Sequence, residues 1–241
     1  NAATNDAPDP YPLGATTVTW TVTDAAGNSA TSTQIVTVVD NIDPVAITQN
    51  ITVTLNASGA ASTTAAAVNN ASTDNCAIAS YVLDVTAFTC ANLGANTVNL
   101  TVTDAAGNSN SASATVTVVD NINPTISAQA ALSVFVDVGS CTTAASNVTL
   151  GAPTTADNCA ANAATNDAPA SYALGTTTVT WTVTDAAGNS ATDQQIVTVV
   201  DNEVPTITAP VDVSVMVDAG TCAAATANVA LGAAVTNDNC A

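Results

Sequence analysis

Asp24, Asp104 and Asp185 each stand fourth in the same nine residues, "TVTDAAGNS", at Thr21–Ser29, Thr101–Ser109 and Thr182–Ser190. A second acidic motif follows each copy: "DNIDP" from Asp40, "DNINP" from Asp120 and "DNEVP" from Asp201. A third, "DNC", carries Asp74, Asp157 and Asp238. Side chains of Asp and Asn offer hard oxygen donors, the ligands of calcium, which takes six to eight of them in irregular geometry. Six cysteines, Cys76, Cys90, Cys141, Cys159, Cys222 and Cys240, supply the only other reactive groups.

Composition limits what those groups can do. The chain has 241 residues, 19 acidic side chains and no lysine, arginine or histidine, so its formal charge is −19. No intramolecular salt bridge can form, and no cationic side chain can meet a phosphate, so nucleic acid and anionic membrane surfaces are repelled. Without histidine there is no Ser-His-Asp or Cys-His site, and without lysine no Schiff base or P-loop. A glycosidase-like carboxylate pair repeated in every module would be odd, and the expectation is that the protein is not an enzyme. Cations are the partners that remain.

The chain should fold despite its charge, because 47% of its residues are hydrophobic. In "TTVTWTVTDAAGN", Val18, Trp20 and Val22 alternate with Thr19, Thr21 and Thr23, a half-buried strand running into a Gly-Asn turn. "QIVTVVD" pairs back as the hairpin partner, Trp20 and Trp181 fall in the inward register, and almost no helix is expected. Outward threonine rows resemble the flat faces of ice-binding proteins, but solvent-facing threonine is ordinary in strands.

Equivalent aspartates lie 80 and 81 residues apart, the size of one small β domain. Residues 1–40 read as the back half of a module, 41–120 and 121–201 as complete modules, and 202–241 as a front half. "TNDNCA" at the end and "NAATNDAP" at the start match the unbroken internal run "ADNCAANAATNDAP", as expected of a segment of a longer array. No signal peptide or apolar span is present in the sequence, as expected of a middle segment. Short strands at this spacing fit an all-β fold of tandem immunoglobulin-like β-sandwich modules arranged as an extended rod. Each module would span about 35 to 40 Å at ~3.3 Å per strand residue, and the segment about 120 Å.

Two cysteines fall in each module, and Cys141/Cys159 and Cys222/Cys240 share a spacing of 18 residues. That repetition predicts disulfides Cys76–Cys90, Cys141–Cys159 and Cys222–Cys240, each worth about 3 kcal/mol by loop closure. Zinc fits less well, since two thiolates without imidazole make a poor tetrahedral site. Disulfides imply an oxidising, extracellular setting. The sequons at Asn50 and Asn147 stay open.

"DNC", then "LGTTTVTWTVTDAAGNSA", then "VTVVDNEVPTI" resemble the hyalin repeat family over essentially the whole chain. Those immunoglobulin-like modules occur in tandem in extracellular proteins, including giant surface adhesins and appendages of gliding and marine bacteria. The chain departs from many such repeats at Ser32, Ser113 and Asp193, where they have a cysteine. The resemblance implies adhesion or spacing rather than catalysis, and it names no ligand.

"DNIDP" also resembles the calcium-binding linker of cadherins. In a sandwich of this type the entry linker, the "TDNC" loop and the "DAAGN" turn converge at one pole. That places Asp40, Asn41 and Asp43 with Asp74 and Asp104, and Asp120 and Asn121 with Asp157 and Asp185. Asp201, Asn202, Glu203 and Asp238 would be completed by Asp24 of the next segment. Ca2+ at each joint would fix the angle between modules. The competing explanation is turn chemistry, in which these side chains cap backbone amides. The expected function is a structural segment of a filament or adhesin stalk, with further copies of the repeat, in one chain or fibre or bundled side by side, as partners; the alternative is modules that bind a glycan or surface themselves.

Overall fold

The computed structural model describes residues 2–240, which divide into two units at the 121/122 boundary. Both are built almost wholly of antiparallel strands.

The first unit begins with a three-stranded sheet of β1 (Ala3–Asn5), β2 (Gly14–Thr23) and β3 (Ser29–Val38). β2 and β3 pair over their full length, from Gly14 opposite Val38 to Thr23 opposite Ser29. There follow β4 (Ile51–Thr54), β5 (Ala60–Ser62), a single helical turn α1 (Ala65–Val68), β6 (Ile78–Leu83), β7 (Ala87–Thr89), β8 (Gly94–Asp104) and β9 (Ser109–Val119). One sheet runs β4-β9-β8-β6 and β5 pairs with β7. β4 lies parallel to β9, Ile51–Thr54 beside Val116–Val119, while the other neighbours are antiparallel. Val98, Leu100, Val102, Val116 and Val118 face inward with Phe88, Leu55 and Val68, all at most 2% exposed.

The second unit repeats this plan with β10 (Thr125–Ser127), β11 (Leu132–Phe135), β12 (Thr142–Ala144), β13 (Thr154–Ala156), β14 (Thr165–Asn166), β15 (Ser171–Ala173), β16 (Gly175–Thr184) and β17 (Ser190–Val200). Its main sheet is β11-β17-β16-β14, again with the first pair parallel. β12 pairs with β15, and β10 with β13. Val136, Val148, Tyr172, Val179, Val197 and Val199 form the core. Last come β18 (Thr206–Thr208) and β19 (Val235–Asn237), a pair matching β10 and β13.

The alternation that makes these strands also aims the acids. Val98, Leu100 and Val102 share a face of β8, and two residues further on the same face carries Asp104, which is 2% exposed. Asp185 follows Val179, Trp181 and Val183 in the same way and is 4% exposed. A carboxylate thus ends each inward row.

Two expectations are corrected here. Trp20, placed in the core by its register, is 39% exposed, whereas Trp181 is 7% exposed. The hairpin exists in both places, but only the second lies under a second layer of its own module. The cysteines are paired differently as well. Cys141 is bonded to Cys240, 99 residues away with a Cα–Cα distance of 5.1 Å, and not to Cys159. Cys90 and Cys159 are also disulfide-bonded, while Cys76 and Cys222 are free and exposed, so neither Cys76–Cys90 nor Cys222–Cys240 forms.

Strand order explains the change. β11 runs parallel to β17, so the turn after it, Asp137–Cys141, stands at the exit pole beside the linker: Val136 N–H donates to the Val200 carbonyl at 3.1 Å and Gly139 N–H to Glu203 Oε1 at 2.8 Å. β13 runs back along β10, with Ala156 opposite Thr125, so the "DNC" loop returns to the entry pole. The two cysteines of one module are therefore a module apart. Cys141 meets instead the "DNC" loop of the following front half, whose Asn239 side chain donates to the Ser140 carbonyl at 2.9 Å.

Candidate metal centre

At one pole of the β4-β9-β8-β6 sheet in the first unit, one carboxylate oxygen from each of Asp40, Asp74 and Asp104 lies within 4.8 Å of the others. Each comes from a different piece of chain: Asp40 follows β3, Asp74 sits in the "TDNC" loop, and Asp104 ends β8. Three charges this close repel, and the chain has no basic residue to offset them.

Neutral donors hold the carboxylates in place. Asp104 Oδ1 accepts from the Gly107 and Asn108 amides at 2.6 and 2.8 Å, and its Oδ2 from Asn108 Nδ2 at 2.7 Å. Asn108 Nδ2 also donates to the Asp40 carbonyl at 3.2 Å, tying the linker to the turn. Asp74 Oδ2 accepts from the Cys76 and Ala77 amides at 2.9 and 3.1 Å. Asp40 Oδ1 accepts from Asn75 Nδ2 and the Ile42 amide, both at 3.1 Å. These bonds, the one from Asn75 first, lower the Asp40 pKa below the usual carboxylate value, so the group stays charged.

The remaining oxygens decide what the cluster is for. Asp40 Oδ2 and Asp74 Oδ1 are buried and accept no hydrogen bond from the described residues. A buried, charged oxygen without a donor carries its full desolvation cost unless a cation meets it. Two such atoms beside a third carboxylate make an all-oxygen donor set, which fits a hard divalent ion such as calcium.

The equivalent oxygen is left in the same condition in the second unit, where Asp157 Oδ1 and Asp238 Oδ1 are buried without a donor. Asp157 and Asp185 approach each other within 4.8 Å through their carboxylates. Asp185 is held like Asp104, by the Asn189 amide at 2.8 Å and Asn189 Nδ2 at 2.7 Å. Burial pushes its pKa up, but the bonds from Asn189 and the turn amides prevail and it is lowered. Asp120 is buried at the end of the inward row of β9.

The other predicted ligands are placed without being gathered. Asn41, Asp43, Asn121 and Asn202 are exposed. Glu203 takes its hydrogen bond from Gly139, and Asp201 Oδ1 accepts from the Glu203 amide at 2.9 Å. Among the described residues no third carboxylate joins Asp201 and Asp238. Asp24 is exposed and caps its own turn, accepting from the Ala26 and Asn28 amides and from Asn28 Nδ2 at 2.8 to 2.9 Å. In the turn itself Gly27, Gly107 and Gly188 have φ of +91°, +99° and +95°, which favours glycine there. Sequence reasoning named the acids and missed the asparagines that orient them. Their signal was present, since Asn28, Asn108 and Asn189 recur with the aspartates in every copy of "DAAGN".

No family model matches the chain, and no curated protein matches it either. Solved structures similar to it include protocadherin gamma B7 extracellular cadherin domains 1–4, at 12% identity over 80% of this chain and 60% of that one, with a TM-score of 0.32. Mouse cadherin-23 EC22-24 is similar at 14% identity over 78% and 74% of the two chains, TM-score 0.33. The protocadherin gamma B4 extracellular domain is similar at 15% over 80% of this chain and 39% of that one, TM-score 0.35. Similarities of this size define no kinship, and the centre is read from its own residues.

Proposed function

We propose that this chain is a structural stretch of an extracellular filament or adhesin stalk, built of hyalin-repeat-like modules whose joints are fixed by calcium. The observation that carries the reading is the Asp40, Asp74 and Asp104 set, with two buried oxygens that no donor among the described residues serves. An ion held there links the end of one module, through Asp40, to the loop and turn of the next. The recurrence of the motifs extends the same role to Asp120 with Asp157 and Asp185, and to Asp201 and Asp238 with Asp24 of a further copy. Disulfides at Cys90, Cys141, Cys159 and Cys240 support an oxidising, extracellular setting. A rod of fixed joints is the form that a spacer needs. Further copies of the repeat are its partners, and side-by-side bundling would need cations to bridge so much negative charge.

Calorimetry of the chain with calcium and with excess chelator tests the reading. At free calcium a hundredfold above Kd the bound ion adds about 2.7 kcal/mol, and removing it lowers the melting temperature. Identical melts in the two conditions would sink the calcium assignment.

A further inference from the structure

Two exposed stretches of this chain are complementary. β4 covers the outer edge of β9, and β11 that of β17, each by four residues in parallel register. β3, the edge of a three-stranded sheet, and the residue after it carry the matching stretch, Val36–Val39, with Ile35 68% and Val39 73% exposed. The segment that matches β11 lies in "DVSVMVDAGTC" (212–222), which aligns with "ALSVFVDVGSC" (131–141). Val213–Met216 there is in no strand, and Met216 is 92% exposed.

The loop after that segment already has its working shape. Asp137 accepts from the Ala144 amide and Asn147 Nδ2 at 2.8 and 2.7 Å, and Asp218 accepts from the Ala225 amide and Asn228 Nδ2 at 2.6 and 2.9 Å.

The cysteines point to where that sheet comes from. In Cys141–Cys240 one sulfur belongs to the loop after the parallel strand and the other to the "DNC" loop of the module that follows. Cys222 is the counterpart of Cys141, and Cys76 is a counterpart of Cys240. These two are the exposed free thiols.

We propose that residues 202–241 of one copy cover the β1-β2-β3 sheet of a second copy, with Val213–Met216 parallel to Val36–Val39, and that Cys222 of the first is then bonded to Cys76 of the second. The proposal deepens the reading of the chain as a repeating segment and rests on it. The bond removes two electrons and two protons from two thiols. One thiolate displaces a sulfur from a disulfide oxidant, such as glutathione disulfide or an oxidised dithiol oxidoreductase; the other then displaces that mixed disulfide, and the oxidant leaves reduced.

The test uses the whole chain in a glutathione redox buffer, followed by non-reducing electrophoresis and mass spectrometry of the linked peptides. The expected result is a ladder in steps of 23.5 kDa that collapses on reduction, with Cys76 joined to Cys222. C76S alone and C222S alone should each abolish the ladder, and the two variants mixed should give a dimer and nothing larger. Val36→Asp keeps both thiols but burdens the docking edge, and should slow cross-linking at least tenfold. Symmetric Cys76–Cys76 or Cys222–Cys222 links, or cross-linking untouched by Val36→Asp, would overturn the proposal. A chain that binds calcium yet stays monomeric overturns the lock and leaves the filament reading standing; a ladder indifferent to chelator supports the lock and removes only the ion.

Discussion

Trp20 and Trp181 stand at the same place in two copies of one strand, and each donates its indole N–H to a glutamine across the hairpin, Gln34 at 3.0 Å and Gln195 at 3.3 Å. Their surroundings differ. Gln195 is 2% exposed and its amide also donates to the Ala130 and Leu150 carbonyls, at 3.1 and 3.0 Å, which belong to the front half of its module. Residues 1–40 contain no such front half. The hairpin is thus a local product of alternation and a Gly-Asn turn, formed identically in both places, whereas burial of its inner face is supplied from forty or more residues away.

Removing the two indoles should separate these contributions most widely. Trp181→Ala empties a filled site and should cost about 3–5 kcal/mol, seen as a large downward shift of the second unit's calorimetric transition. Trp20→Ala in the monomeric chain should cost about 1 kcal/mol or less. An equal loss at both positions would mean that exposure does not measure what the second layer contributes. If copies join as proposed above, the cost of Trp20→Ala should rise toward that of Trp181→Ala in the cross-linked material.

The same contrast applies to the acids, with a smaller effect. Asp104 faces Asp40 and Asp74, while Asp24 belongs to no such group of three among the described residues. Asp104→Asn should therefore abolish most of the roughly 2.7 kcal/mol of calcium-dependent stabilisation in the first unit at saturating ion. Asp24→Asn should leave it intact in the monomer. Chelator-sensitive melts of the two variants decide the matter, and a similar loss in both would assign the ion to the turn itself rather than to the joint.

What could be read from the sequence follows the same division. Alternating Val and Thr predicts β2, β8 and β16 with their partners, because a period of two is a property of neighbouring residues. The convergence of Asp40, Asp74 and Asp104 was also legible, since a repeated motif at each pole needs only the order of strands. Cysteine pairing was not, because a shared spacing of 18 residues records distance along the chain, and Cys141 and Cys159 end at opposite poles once β11 and β17 run parallel. The exposure of Trp20 was hidden for a related reason: its register is local, but its cover is not.

The smallest effect lies in the turn. Asn28 and Asn189 make the same bonds to Asp24 and Asp185, and both carboxylates have lowered pKa values, Asp24 chiefly through the Asn28 side chain and Asp185 through Asn189 against an opposing effect of burial. A carboxylate whose folded pKa is lowered contributes stability that is present above its unfolded pKa, near 3.8, and is lost as pH falls through the folded value. Acid unfolding should therefore draw on these turns only below about pH 4. Asn189→Ala removes the side-chain donor to Asp185 Oδ2 and keeps the backbone one, and should raise the midpoint pH of acid unfolding of the second unit. It should also cost about 1 kcal/mol at neutral pH, where a buried acceptor is left without its partner. Asn28→Ala should shift the first unit far less, because water replaces the lost donor at exposed Asp24. Circular dichroism of the two variants between pH 2 and 7 measures both shifts. Equal shifts would show that the turn, and not its burial, sets the strength of the cap.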